Sequence, residues 1–258
     1  KVVRRADFDS MTAEDAFTST YRVKQVMAPS LIFDTYNFLH LLQDPDPDFF
    51  DGDLAVGYGS DFEFEFREQV GDTLKLVGKK RKAPLILVKA TADQKAFYTS
   101  NQFAESIDGI SNYLVEHPFT YIVDPKDPTK RIQISINPEV RSRSFSLIST
   151  SGAQISTNSG LFSFSKDGAR LNNPLKNGDD IYTSILWDKA VQKLYLVTST
   201  GAKREVLSND TPIFPLEILL GPVYSSITVP YATTYPGWSA NFVARRAAAA
   251  NALLTGPY

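Results

Sequence analysis

Phe62, Phe64 and Phe66 alternate with Glu63, Glu65 and Arg67. A period of two puts three rings on one side of an extended strand and the charges on the other. The Phe face is predicted to be core and the Glu63/Glu65 face to be wet. The flanking segments have the same character. Residues 30–36 hold the apolar run Leu31, Ile32 and Phe33, then the β-favouring Thr35 and Tyr36. Residues 74–77 and 85–88 read as two more strands, joined through the turn-rich stretch from Gly78 to Pro84. Neighbouring strands joined by short connections make an antiparallel meander.

The pattern changes at residue 91. Thr91 and Gln94 have capping-box spacing, and Ala96, Phe97, Phe103, Ala104, Ile107, Ile110 and Leu114 follow at helical intervals. Asp108-Gly109 is predicted to split the run into two helices, and Pro118 to end it. Strands resume with Ile132, Ile134 and Ile136, then at 144–149, 161–165, 181–187, 193–198 and 213–220. Turn residues such as Lys176-Asn177-Gly178-Asp179 separate them. Earlier in the chain, residues 1–8 and 18–26 are weaker strand candidates, and 37–43 a short helical turn. Residues 223–237 are rich in Tyr, Thr, Ser and Pro and are predicted irregular, and the Ala-rich 239–254 helical. The expected fold is mainly β (α+β). It comprises an antiparallel meander over 1–90, a helical connector over 91–116, a second antiparallel barrel or sandwich over 117–222, and an irregular tail with a C-terminal helix over 223–258.

Composition excludes more than it assigns. The chain has 258 residues, enough for a sizeable core, and a formal net charge of −2, which offers no electrostatic case for nucleic acid. Without cysteine there are no disulfides, thiol chemistry or Cys–zinc sites. With His40 and His117 alone, a His-rich metal site or a Ser-His-Asp triad has few ways to form. Neither HExxH nor GxSxG occurs, and Gly57-Tyr58-Gly59 lacks the full nucleotide-loop pattern. No apolar run approaches the roughly 20 residues that span a bilayer. The chain opens directly on a strand-like stretch and is expected to be a fragment or processed form.

The sharpest charge cluster is Asp44, Asp46, Asp48, Asp51 and Asp53. Alternating carboxylates can converge on calcium, but the EF-hand pattern fails at Phe49 and Ala55, and Pro45 and Pro47 favour a plain acidic loop. Inside it sit Phe49 and Phe50. Burial against the sheet is the usual fate of such rings. If the domain has a ligand, Phe49, Phe50 and Tyr58 are the residues expected to hold it, because rings stack on sugars and the nearby carboxylates accept hydroxyls. Lys79-Lys80-Arg81-Lys82 reads as a solvated hairpin end that discourages edge pairing. His40 and His117 read as structural, and Tyr231, Tyr235 and Trp238 as anchors of the tail.

The order of segments carries a resemblance. SLIFDTYNFLHLLQDP, an Asp/Gly-rich loop, DFEFEF and LKLVGKKRKAPLIL resemble the Bacteroidota lipoproteins catalogued as domain of unknown function 4302, with Val77 as an insertion in the last motif. The second half, GLFSFSKDGARLNNPL through ILWD, is similar in a more generic way. The resemblance implies a lipid-anchored envelope protein that accompanies outer-membrane nutrient uptake, with its membrane link outside this chain. It carries over no catalytic residue, cofactor or metal. The expectation is a non-enzymatic binding or accessory domain for a glycan, peptide or envelope protein partner, with no nucleic acid. The rival classes are a carboxylate hydrolase using the loop Asp residues or Glu63 and Glu65, and a structural assembly subunit.

Overall fold

The computed structural model describes residues 1–151, 154–220 and 238–255. The chain divides into two compact units, Lys1–Ile218 and Leu219–Tyr258. Among the described residues, strands form three five-stranded sheets and one two-stranded ribbon. The fold is mainly β.

The ribbon pairs β1 (Val2–Arg4) with the strand that follows helix α1 (Ser10–Glu14), namely β2 (Phe17–Ser19). Asp9 and Thr12 form a capping box that starts α1. The first sheet is a simple antiparallel meander of β3 (Tyr21–Val26), β4 (Ala28–Phe33), β5 (Glu63–Val70), β6 (Thr73–Gly78) and β7 (Pro84–Val88). Helices α2 (Phe38–Leu41) and α3 (Pro47–Phe50) lie in the connection between β4 and β5. The register sets Leu31 opposite Phe64, Phe66 opposite Leu76, and Leu76 opposite Leu85, so these side chains share one face.

That face is only partly covered. Phe33, Phe64 and Leu76 are buried, with Val2 of β1 and Leu39 of α2 packed against them. Phe66 is not core as the alternation predicts: it is 40% exposed. It is not among the residues packed with Phe33, Phe64 and Leu76, and a bulge immediately after it shifts the register. The opposite face is charged. Glu63 pairs with Lys79 at 3.3 Å and Glu65 with Arg67 at 3.1 Å.

Two helices follow. In α4 (Ala92–Thr99) the capping box is present, with Gln94 N donating to Thr91 Oγ1 at 3.2 Å and Thr91 N to Gln94 Oε1 at 2.9 Å. Helix α5 (Gln102–Glu116) then runs unbroken through Gly109. The predicted break at Asp108-Gly109 is therefore wrong, and the real one is at Ser100–Asn101. Gly109 serves packing instead: a Cβ there would lie 2.6 Å from Trp187 Nε1. His117 caps the helix end before Pro118 and packs on Tyr113, with ring centroids 4.4 Å apart.

The remaining strands form two sheets around the inner face of α5. One comprises β8 (Phe119–Val123), β9 (Arg131–Asn137), β10 (Ser144–Ser151) and β11 (Gln154–Gly160). The other runs β12 (Phe162–Ser165), β13 (Gly168–Asn177), β14 (Asp180–Asp188), β15 (Lys193–Thr198), β16 (Lys203–Glu205). Strand β17 (Leu207–Asn209) returns to pair with β8. Among the described residues the sheets do not close into a barrel. Together with α5 they enclose one apolar core that includes Ile107, Ile110, Ile132, Phe145, Leu171, Ile185 and Leu194. The Tyr113 hydroxyl donates to the Val206 carbonyl at 3.1 Å inside it. Strand β13 tolerates Pro174 because its pairing with β14 lapses between Arg170 and Leu175.

Residues 213–220 do not form the predicted strand. They contain a short helix, α6 (Leu216–Leu219), that begins directly after Pro215, a residue pre-set for a helix start. Helix α7 (Ala240–Thr255) is the expected C-terminal helix. The predicted irregular stretch 223–237, with Tyr231 and Tyr235, lies outside the described residues. Trp238 packs edge-on against Phe242. Among the described residues no helix is long and apolar enough to cross a membrane.

Candidate functional site

The uncovered face of the first sheet is the floor of a groove. Tyr21, Val23, Leu31, Phe33, Leu74, Leu85 and Leu87 line it, and strand β1 forms its roof. Phe38, Leu39 and Leu42 close one side. Its volume is about 880 Å³, within the range of small-ligand sites. Val23 is 69% exposed and Leu87 38%, so the apolar lining meets solvent. Isolated apolar residues on a surface are ordinary, but a contiguous concave set is not.

Strand β1 owes its position to residues far along the chain. Arg143 is buried, and its Nη1 donates to Asp7 Oδ2 at 2.9 Å. Its Nη2 donates to the carbonyls of Asp7 and Phe8, and its Nε to that of Pro138. Asp7 Oδ2 also accepts from Phe164 N at 2.9 Å. The segment after β1 is thereby tied to the larger core, and the roof of the groove is held there.

Alternation within β1 turns Val2 and Arg4 toward the sheet. The Arg4 guanidinium lies 3.5 Å from the centre of the Phe33 ring and donates from Nη1 to Asn37 Oδ1 at 2.7 Å. Asn37 is itself buried and also caps α2 through Leu39 N. Burial pulls Arg4 down to about 10. Among the described residues no carboxylate pairs with it. Close by, His40 stacks on Phe62 with ring centroids 4.6 Å apart. Burial lowers the His40 pKa, and the Arg4 charge lowers it further. His40 Nδ1 is buried with no partner among the described residues.

The residues that sequence reasoning singled out fall into two groups. Phe50 packs on Phe8 at 5.1 Å and on Tyr58 at 5.8 Å, and Phe8 continues to Phe38 at 5.6 Å. Phe8 and Phe38 line the groove, so Phe50 and Tyr58 stand behind its end rather than inside it. Phe49 turns away from this row: it is 65% exposed, and among the described residues no ring packs on it. Two of the five loop carboxylates shape the loop. Asp44 accepts from the Tyr36 hydroxyl and from Asp46 N, and Asp46 caps α3 through Asp48 N. Among the described residues no group of three His, Cys, Asp or Glu is placed to hold a metal ion.

Two features escaped the sequence. Arg4 gave no signal beyond a weak strand pattern; the alternation of Val2 and Arg4 with Val3 and Arg5 was the available clue. Asp61 stands in the sequence only as the first residue of DFEFEF. It is 2% exposed, and its carboxylate accepts backbone N–H groups from Lys80, Arg81 and Ala83 at 2.9–3.3 Å. The basic run therefore caps the β6–β7 hairpin through its main chain.

Among family models, that of Domain of unknown function (DUF4302) matches residues 1–189. No curated protein and no solved structure gives a significant match.

Proposed function

Since the chain belongs to the DUF4302 family, a grouping that prescribes no chemistry, we propose a function from the groove: a non-enzymatic binding or accessory domain that holds the apolar part of its ligand between β1 and the first sheet. The single observation that carries this reading is the apolar sheet face left open beneath a strand that Arg143 ties down. A roof fixed from outside keeps the groove formed without its occupant, which lowers the ordering cost of binding. The resemblance of residues 30–89 to envelope lipoproteins supports a place in the cell envelope, as an accessory to outer-membrane uptake of a glycan, peptide or protein ligand. Glu63 and Glu65 are in ion pairs on the far face, and Asp44 and Asp46 cap local backbone. Those engagements favour binding over acid–base hydrolysis.

The test is the binding of Nile red, a neutral apolar dye, to the full chain. Its fluorescence should rise on binding, and Val23→Asp and Leu87→Asp should each abolish the rise while leaving the melting temperature nearly unchanged. Dye binding that survives both substitutions overturns the groove. A glycan and peptide screen on the same protein then identifies which ligand class competes for the site.

A further inference from the structure

The groove is apolar but not neutral. Its charged lining groups are Lys1, Arg4 and Arg5, and no Asp or Glu lines it. Arg5 is directed to the Glu14 carbonyl at 3.1 Å. Arg4 is the cation that faces the sheet, over the Phe33 ring at the inner wall. A half-buried guanidinium ordinarily has a carboxylate or phosphate against it, because taking a charge out of water is expensive unless it is paired. Here Nη1 has the neutral amide of Asn37, and the guanidinium's other N–H groups have no acidic partner among the described residues. The depressed pKa of Arg4 has burial as its cause, with no nearby acid to offset it. The site thus has a long apolar floor and, at its wall, a sheet-facing guanidinium with no acidic partner among the described residues.

We propose that the groove takes an anionic amphiphile: a single straight-chain carboxylate whose chain lies over Val23, Leu31, Leu85 and Leu87 and whose headgroup meets Arg4. This rests on the reading of the groove as the binding site. The planar guanidinium fork matches a carboxylate in two parallel hydrogen bonds. The Phe33 ring lies beneath it. An extended peptide fits less well. The floor is made of side chains from a paired sheet, so the peptide's amides would be buried there without partners. A sugar would place hydroxyls against the same apolar floor.

The experiment is calorimetric titration of the full chain with dodecanoate and with dodecanol, each below its aggregation limit, at neutral pH. The two share a chain and differ in charge. Dodecanoate should bind at least about tenfold more tightly, the worth of one charge-assisted contact. Arg4→Gln should bring the ratio of the two affinities close to one, and Arg4→Lys should retain part of the preference. The wild-type preference needs no variant, so a poorly folding substitution does not rescue the idea. Equal affinity for the two ligands overturns the headgroup assignment and leaves the groove reading standing. Failure of both to bind, with Nile red still bound and still sensitive to Val23→Asp, overturns the amphiphile alone. Failure of both ligands and of the dye overturns the groove as well.

Discussion

Asp61 occupies the space that a side chain on residue 78 would need: a Cβ built on Gly78 would overlap the Asp61 carboxylate. The glycine lets a buried carboxylate approach the hairpin backbone, and that carboxylate then gathers three amides of the β6–β7 turn. Asp61→Ala leaves those amides without their charged acceptor and should cost about 2–4 kcal/mol. Gly78→Ala should destabilise comparably through the collision. Chemical denaturation measures both. A Gly78→Ala change within about 0.5 kcal/mol of wild type, the usual surface range, would contradict the pairing.

Gly109 and Trp187 are a second pair of this kind. In an exposed helix Gly→Ala is worth up to about 1 kcal/mol of added stability. Here the new methyl would meet the indole at 2.6 Å, so Gly109→Ala should destabilise, by about 1–3 kcal/mol as for other overpacked sites. Removing the indole in Trp187→Leu should turn the Ala substitution neutral or favourable in that background. A double-mutant cycle with no coupling between the two positions would sink the explanation.

The contrast between Gly109 and Phe66 shows what the sequence can and cannot carry. Period-two alternation identified β5 and its neighbours, since side-chain direction in a strand is a local property. It placed Phe64 correctly in the core. It misplaced Phe66, because exposure depends on where the lid of β1 and α2 ends, and that is set by contacts from outside the sheet. Gly109 looked like a breaker because its partner, Trp187, is 78 residues away along the chain. Capping chemistry at Thr91 and Gln94 was legible for the opposite reason, since both partners sit within one turn. Of the site, the aromatics Phe50 and Tyr58 were visible as composition. The groove they stand behind was not, because no local pattern tells a covered apolar face from an open one.

Arg143 and Asp7 should govern the roof of the groove. Arg143→Ala leaves a partly buried carboxylate and three backbone carbonyls without their donor, and should destabilise by about 3–5 kcal/mol. The loss should concentrate at the N-terminus: limited proteolysis should cut within the first 9 residues well before global unfolding. Uniform protection there in the variant would contradict the anchoring role.

His40 should make stability fall on mild acidification. Its folded pKa is depressed, by burial first and by Arg4 second, so the unfolded chain takes up a proton that the folded one resists. That contribution is fully present above the unfolded value of about 6.5, and it is lost as pH drops through that value toward the lower folded one. His40→Phe should flatten this part of the pH–stability profile. Arg4→Gln should raise the His40 pKa as followed by proton NMR. An unchanged His40 titration in that variant would mean that Arg4 is not the charge it senses.

The central claim is that the sheet face under β1 is a binding surface, and methyl NMR reports on it directly. On adding Nile red, or any ligand found in the screen, the methyl signals of Val23, Leu31, Leu85 and Leu87 should shift together and saturate with one dissociation constant. Those of Leu194 and Leu196, in the other core, should stay where they are. Saturable ligand binding that leaves the four groove methyls unmoved would contradict the account.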